Sequence, residues 1–229
     1  MPLLLNIELH VSRAEIGQAL CRLCPRVTPQ MEAEIDAAFD LAQPLLQPVI
    51  VYEWIDDITL RGNCLLFELA GRLTELAVGE HVGLMRPARR AYLGVHSIGD
   101  RLAVQVRELN QNGEQLLGYW LDSIGVVALG KLGEIANTVA EEEAAQNGWG
   151  VGARLSPGSL SGWPLEDQKK LCAMLPLHRA GLQVNGHGVI IPLKSALSIV
   201  GIGPEYGKKR VQSVCHLCVH RHECWRRKT

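Results

Sequence analysis

Residues 48–78 read Pro48-Val-Ile-Val-Tyr-Glu-Trp-Ile-Asp-Asp-Ile-Thr-Leu-Arg-Gly-Asn-Cys-Leu-Leu-Phe-Glu-Leu-Ala-Gly-Arg-Leu-Thr-Glu-Leu-Ala-Val78. Runs of β-branched and aromatic residues bounded by turn residues mark strands. Strands are predicted over Pro48 to Ile55, Ile58 to Leu60, Cys64 to Leu69 and Thr74 to Val78, with Gly71 at the centre of the last turn. Downstream, Ala91 to Val95 reads as another strand, and the turn Ser97-Ile98-Gly99-Asp100 leads into a helix. Upstream, Glu32, Glu34, Asp36 and Asp40 alternate with Met31, Ile35, Phe39 and Leu41 at helical spacing as far as Pro44. The longest helical pattern runs from about Glu114 to Ala145, with apolar residues at Leu117, Leu121, Ile124, Val127 and Leu132. Gly118, Gly125, Gly130 and Gly133 thin one side of it, which predicts close approach by a neighbouring element. Later, Pro164 opens a helix with Glu166 and Asp167 placed for its dipole, and Gly188 to Pro192 and Ser195 to Ile202 read as closing strands. The strands cluster around short turns and do not alternate strictly with helices. The fold class is therefore α+β (mixed α/β), a mostly antiparallel twisted sheet with long packing helices.

Composition narrows the function classes. The chain has 229 residues, 23 basic and 24 acidic side chains and 47% hydrophobic residues, an ordinary globular mixture. A chain of this size buries roughly 70% of its unfolded surface, so its core needs no staples. The start MPLLLNIELH has no basic n-region and is interrupted by Asn6 and Glu8, so no signal peptide is predicted. The most apolar stretch, Leu116 to Gly130, contains Asp122 and falls short of the ~20 residues of a membrane span. Seven cysteines, an odd number in a chain of this length, point to a reducing, cytoplasmic setting. Neither nucleic acid nor a membrane is an expected partner. Charge is uneven: residues 208–229 hold seven basic groups and one acid, against 16 basic and 23 acidic residues before them. Two regions are expected, a main domain over 1–207 and a basic Cys-rich tail over 208–229.

The segment Arg154-Leu155-Ser156-Pro157-Gly158-Ser159 can hold an anion: a guanidinium forks onto a carboxylate, and a Pro-Gly turn lets backbone groups face a ligand. The same residues also describe a surface turn with a solvated arginine. Trp163-Pro164-Leu165-Glu166-Asp167-Gln168 follows closely. Ser97-Ile98-Gly99, Leu121-Asp122-Ser123-Ile124-Gly125, Pro192-Leu193-Lys194-Ser195-Ala196-Leu197-Ser198 and Gly201-Ile202-Gly203 lie along the chain in order. Together these motifs resemble the reactivation domain of cobalamin-dependent methionine synthase over about residues 30–205, and most of all its small stand-alone relatives. The resemblance implies an S-adenosylmethionine-binding domain that serves a corrinoid protein. There, one electron and the methyl group of S-adenosylmethionine return an oxidised Co(II) corrinoid to methylcobalamin. Arg154 would hold the methionine carboxylate, with Leu155, Ser156, Pro157, Gly158 and Ser159 lining the ligand.

The sequence departs from the family where a tyrosine is replaced by Ser159 and an acidic stretch by Val184-Asn185-Gly186-His187. A sulfonium favours aromatic faces and carboxylates, and both are missing here. The chain has no Asp-x-His-x-x-Gly motif and no length for homocysteine or folate modules. The expected role is therefore that of an accessory in corrinoid reactivation, with cobalamin arriving on a partner and an electron donor supplied from outside. An adaptor that has lost S-adenosylmethionine and acts through its tail is the alternative. Cys21-x-x-Cys24 reads as two thiols without a second pair, His187 as a turn residue and Glu141-Glu142-Glu143 as a solvated helix face. Gly201-x-Gly203 lacks the rest of a dinucleotide fingerprint.

In the tail, Cys215-x2-Cys218-x5-Cys224 lies among Lys208, Lys209, Arg210, Arg221, Arg226, Arg227 and Lys228. Positive charge favours thiolates, and three thiolates can hold an Fe–S cluster or zinc given a fourth ligand. Candidates for the fourth are His216, His220, His222 and Cys172. A metal site on Cys215, Cys218 and Cys224 is expected, iron–sulfur ahead of zinc, because reactivation consumes an electron.

Overall fold

The computed structural model describes residues 3–23, 26, 28–69 and 71–227. Its centre is a five-stranded antiparallel sheet in the order β1 (Leu3–Asn6), β2 (Val49–Asp56), β6 (Arg90–Ser97), β10 (Ser195–Gly203) and β7 (Gly150–Leu155). A second, three-stranded sheet joins β3 (Thr59–Arg61), β4 (Cys64–Leu69) and β5 (Arg72–Leu76). A two-residue pair, β8 (Gln183–Val184) with β9 (Ile190–Ile191), completes the strands. The α+β class and antiparallel sheets expected from the sequence are present. The stretch Pro48–Val78 holds β2 to β5, because each apolar run is separated from the next by residues that turn tightly.

The central strands are buried on both faces, and alternation decides which side chain faces which layer. Ile50, Tyr52, Tyr92, Val200 and Ile202 face the helices, whereas Val51, Ile55, Ala91, Leu93, Val95, Leu197 and Ile199 face the small sheet. On the helical side lie α1 (Arg13–Leu23), α2 (Pro29–Ala42), α3 (Arg101–Gln111) and α4 (Gln115–Gln146). Thr28 caps α2 by accepting a hydrogen bond from the Met31 amide at 3.3 Å, and Pro29 starts the helix where no amide partner is needed. By length and composition α4 could cross a membrane, yet half of its most apolar window is buried within the protein. Its polar residues pair inside the fold, Asp122 with Lys194 at 2.5 Å and Lys131 with Glu15 at 2.7 Å.

Three of the four predicted helix glycines are sites of close approach. A methyl at Gly118 would lie 2.7 Å from Asn110 Oδ1, at Gly125 2.9 Å from Leu102, and at Gly133 2.6 Å from Arg154. Gly130 meets nothing within 4 Å. The acidic run on α4 is more engaged than a solvated face. Glu141 accepts from Arg210 Nη1 at 2.6 Å and from the Val211 amide at 2.8 Å, and Glu143 pairs with Arg90.

The helix expected at Pro164 begins later, as α5 (Asp167–Cys172). Asp167 does not face solvent but is buried. Its Oδ2 accepts from the Ala77 amide at 2.8 Å and Trp163 Nε1 at 3.0 Å, and Oδ1 meets Lys170 at 2.6 Å. It ties the small sheet to the loop that leaves β7. The predicted strand over Gly188–Pro192 is paired only at Ile190–Ile191, because Asn185 Oδ1 takes the amides of His187 and Val189 in a turn.

β7 has no strand-like signature, and its glycines explain why. A methyl at Gly152 would lie 2.8 Å from the Tyr206 ring, and one at Gly150 2.9 Å from the Lys208 carbonyl oxygen. Tyr206 donates to the Leu84 carbonyl at 2.8 Å and locks this crossing. From there residues 208–212 run along the outer edge of β7. Val151 donates to Lys208 at 2.7 Å, Gln212 to Gly152 at 3.2 Å, and Arg154 to Gln212 at 3.1 Å, all through the backbone. An unpaired sheet edge is thereby covered.

Candidate functional site

Arg154 is the fifth residue of β7, directly opposite Val200 of β10, and its side chain lies on the helical face. The absence of a side chain at Gly133 makes room there. A Cβ at that position would lie 2.6 Å from Arg154 Nη1 and 2.9 Å from His96 Nε2, so guanidinium and imidazole sit over one helix glycine. Burial holds the Arg154 pKa below its ordinary value, while the Glu134 carboxylate and the Cys215 thiol act in the opposite direction. The guanidinium remains a cation.

Around it lie polar groups that the sequence reading missed. Tyr92, Gly94 and His96 alternate along β6, and Ser198 of β10 faces Gly94. Tyr92 OH, His96 Nδ1 and Ser198 Oγ are each buried without a hydrogen-bond partner among the described residues. Burial, reinforced by the positive charge of Arg154, pushes His96 down to about 3, so it is neutral at physiological pH. Burial likewise raises the Tyr92 pKa, keeping its hydroxyl protonated. The group offers one fixed cation, hydroxyl donors and a neutral imidazole, a set suited to a carboxylate. A histidine inside an otherwise apolar strand was the available signal.

The loop after Arg154 is differently disposed from the expectation that its backbone faces a ligand. Gly158 donates to the Trp163 carbonyl at 2.9 Å, Ser159 to Ser156 at 3.3 Å and Leu160 to Ser156 at 3.1 Å. Gly158 adopts a φ of 73° with Leu165 packed over it, a conformation open to glycine. Leu155 and Pro157 are buried, Ser156 and Gly158 half-buried, and only Ser159 is exposed. Arg154 is thus the one member of the segment whose side chain brings charge to the buried group. An open cleft of about 600 Å³ lies elsewhere, between the small sheet and this loop, and is lined by Cys64, Ala77, Gly79, Leu160, Trp163 and Val219. Arg154 does not line it.

Among the described residues no three His, Cys, Asp or Glu side chains are gathered to hold a metal. Cys215, Cys218 and Cys224 are half-buried thiols outside any disulfide, held by their own turns. Ser213 Oγ donates to Cys215 Sγ at 3.0 Å, and the His220 amide to Cys218 Sγ at 3.4 Å. His216, His220 and His222 are exposed, and Cys172 sits in the core, where burial pushes its thiol up to about 12. A buried neutral thiol is no thiolate ligand. His187 is an exposed turn residue, as expected. Of the Cys21-x-x-Cys24 pair, Cys24 and the Cys21 side chain lie outside the described residues.

No protein-family model matches the sequence, and no curated protein matches it. Among solved structures the chain is similar to the MetH reactivation domain bound to AdoHcy, with a TM-score of 0.58 over 95% of this chain and 83% of that one, at 10% identity. The chain therefore has the fold of the methionine synthase reactivation domain, the fold that the sequence resemblance implies.

Proposed function

We propose that the protein binds S-adenosylmethionine or its demethylated product and serves as a cytoplasmic accessory in the reductive remethylation of a corrinoid carried by a partner protein. The observation that carries this reading is the half-buried Arg154 cation, set among buried Tyr92, His96 and Ser198 in a fold whose solved relative holds AdoHcy. A guanidinium in this setting takes a carboxylate in two parallel hydrogen bonds, and low water access strengthens them. Neutral His96 can accept or donate without adding a second charge. Bound S-adenosylmethionine supplies the methyl group. The electron that reduces the corrinoid comes from a separate donor, and the protein's own residues bind and orient.

A second reading, an adaptor without the ligand, is favoured by one observation: the loop amides of Gly158, Ser159 and Leu160 are already bonded within the protein. Calorimetric titration with S-adenosylmethionine and S-adenosylhomocysteine separates the two. Saturable binding that Arg154→Ala weakens about ten- to a hundredfold, the worth of a charge-assisted hydrogen bond, supports the first reading. Absence of binding supports the adaptor. Binding that Arg154→Ala leaves unchanged removes Arg154 from the site.

A further inference from the structure

We propose that residues 213–219 form a strap that closes the Arg154 site, so that ligand and strap exclude one another; this rests on the carboxylate-binding reading above. The segment 154–159, which the resemblance assigns to the ligand, is met at both ends by the chain's own C-terminal region, which also bonds the neighbouring Ser161. Arg154 N–H is given to Gln212, Ser161 N–H to the Leu217 carbonyl at 3.0 Å, and the Ser159 carbonyl accepts from Val219 N–H at 2.9 Å. Leu160 and Cys218 face each other as an isolated antiparallel bridge. Between these points Cys215 comes close enough to the Arg154 guanidinium to act on its charge.

The C-terminal region is unequally held, and this makes part of it a strap. Residues 206–212 are built into the fold. Tyr206 packs over Gly150, Gly152 and Gly201, Lys209 Nζ donates to Trp149 at 2.9 Å, and Arg210 and Val211 both bond Glu141. The backbone of Lys208 and Gln212 pairs with β7. Beyond Ser213 the backbone is anchored to the main domain at Ser159 and Ser161, and its other backbone bonds close turns within the tail, such as Leu217 to Val214 at 2.8 Å and Cys224 to His220 at 3.1 Å. Ser213 is exposed and marks the change. Segments with few anchoring bonds open locally at far lower cost than the sheet they lie on. Two neutral hydrogen bonds bias a closed–open equilibrium by about tenfold, and a ligand that needs the open form loses affinity by that factor.

Two measurements on the full-length chain test this. Val219→Pro removes the amide that bonds Ser159 while leaving the seated residues 206–212 intact. Calorimetry with S-adenosylhomocysteine should show about threefold tighter binding than wild type, the share of one of the two bonds. Equal affinity, or weaker binding, overturns the strap and leaves the functional reading standing. Hydrogen exchange without ligand tests the strap by itself. The Ser161 and Val219 amides should exchange at least tenfold faster than those of Val151 and Gln212, and equal protection overturns the proposal. Should neither protein bind S-adenosylhomocysteine, the functional reading falls, and the strap's competition with ligand falls with it.

Discussion

Gly130 and Gly133 lie one turn apart on α4, and the same substitution should act oppositely at the two. Replacing a helix-interior glycine by alanine stabilises by about 1 kcal/mol when the methyl meets open space, because the unfolded chain loses more freedom with glycine. At Gly130 nothing lies within 4 Å, so Gly130→Ala should gain close to that amount, which for a domain of this size raises Tm by about 2–4 °C. At Gly133 the new carbon would sit 2.6 Å from Arg154 Nη1 and 2.9 Å from His96 Nε2, closer than real Cβ contacts allow. Arg154 is only half-buried and its tip can give way, but His96 is buried and cannot swing into solvent without breaking the packing around Tyr92 and Ser198. Overpacking of this kind costs about 1–3 kcal/mol. Set against the same propensity gain, Gly133→Ala should end about 1–3 kcal/mol less stable than Gly130→Ala. Guanidinium denaturation followed by tryptophan fluorescence measures both on one scale. Calorimetry should in addition show ligand binding weakened by Gly133→Ala and unaltered by Gly130→Ala. If Gly133→Ala is as stabilising as Gly130→Ala, the guanidinium and imidazole do not share that glycine, and the site described here is wrong.

Two other perturbations have definite signs. Asp167→Ala strands the buried Trp163 Nε1 and takes the acceptor from the part-buried Ala77 amide, and should cost about 2–4 kcal/mol, whereas Asp167→Asn keeps an acceptor oxygen and should cost less than half as much; equal losses in thermal denaturation would rule out the hydrogen-bonding role. His96 is held neutral down to about 3 in the folded protein but takes up a proton near 6.5 when unfolded, so the unfolded state binds the extra proton between those values. Stability should be at its full value above pH 6.5 and fall as pH drops towards 3, by about 2 kcal/mol at pH 5. His96→Gln should flatten that slope in denaturation curves, and an unchanged slope would mean that His96 is not protected from protons.

Elements whose side chains alternate or repeat against a core were legible. β2, β4, β6, β10 and α4 fall within two or three residues of their expected bounds, because each carries enough apolar residues at one spacing to declare its buried faces. Gly118, Gly125 and Gly133 announced close packing, but nothing local distinguished them from Gly130, which faces open space. Arg154 was legible through its motif. Its companions Tyr92, His96 and Ser198 were not, since two strands distant in sequence must be placed in register before their side chains meet. For the tail, spacing brings Cys215, Cys218 and Cys224 within chain reach of one another, while the orientation of each thiol follows from the turn that holds it.

By itself, then, the sequence determined the α+β class, the antiparallel clusters and the order of motifs that matches the reactivation-domain fold, because hydrophobic period and turn chemistry are local quantities. Only the tertiary structure decided that Gly150–Leu155 is a strand, since its glycines exist to admit Tyr206 and carry no strand pattern of their own. It alone decided that the basic C-terminal region lies along that strand's edge, and that the loop amides after Arg154 are bonded internally. Backbone donors and acceptors are the same at every residue, so side-chain pattern does not encode which distant partner satisfies them; the packed fold assigns the pairs.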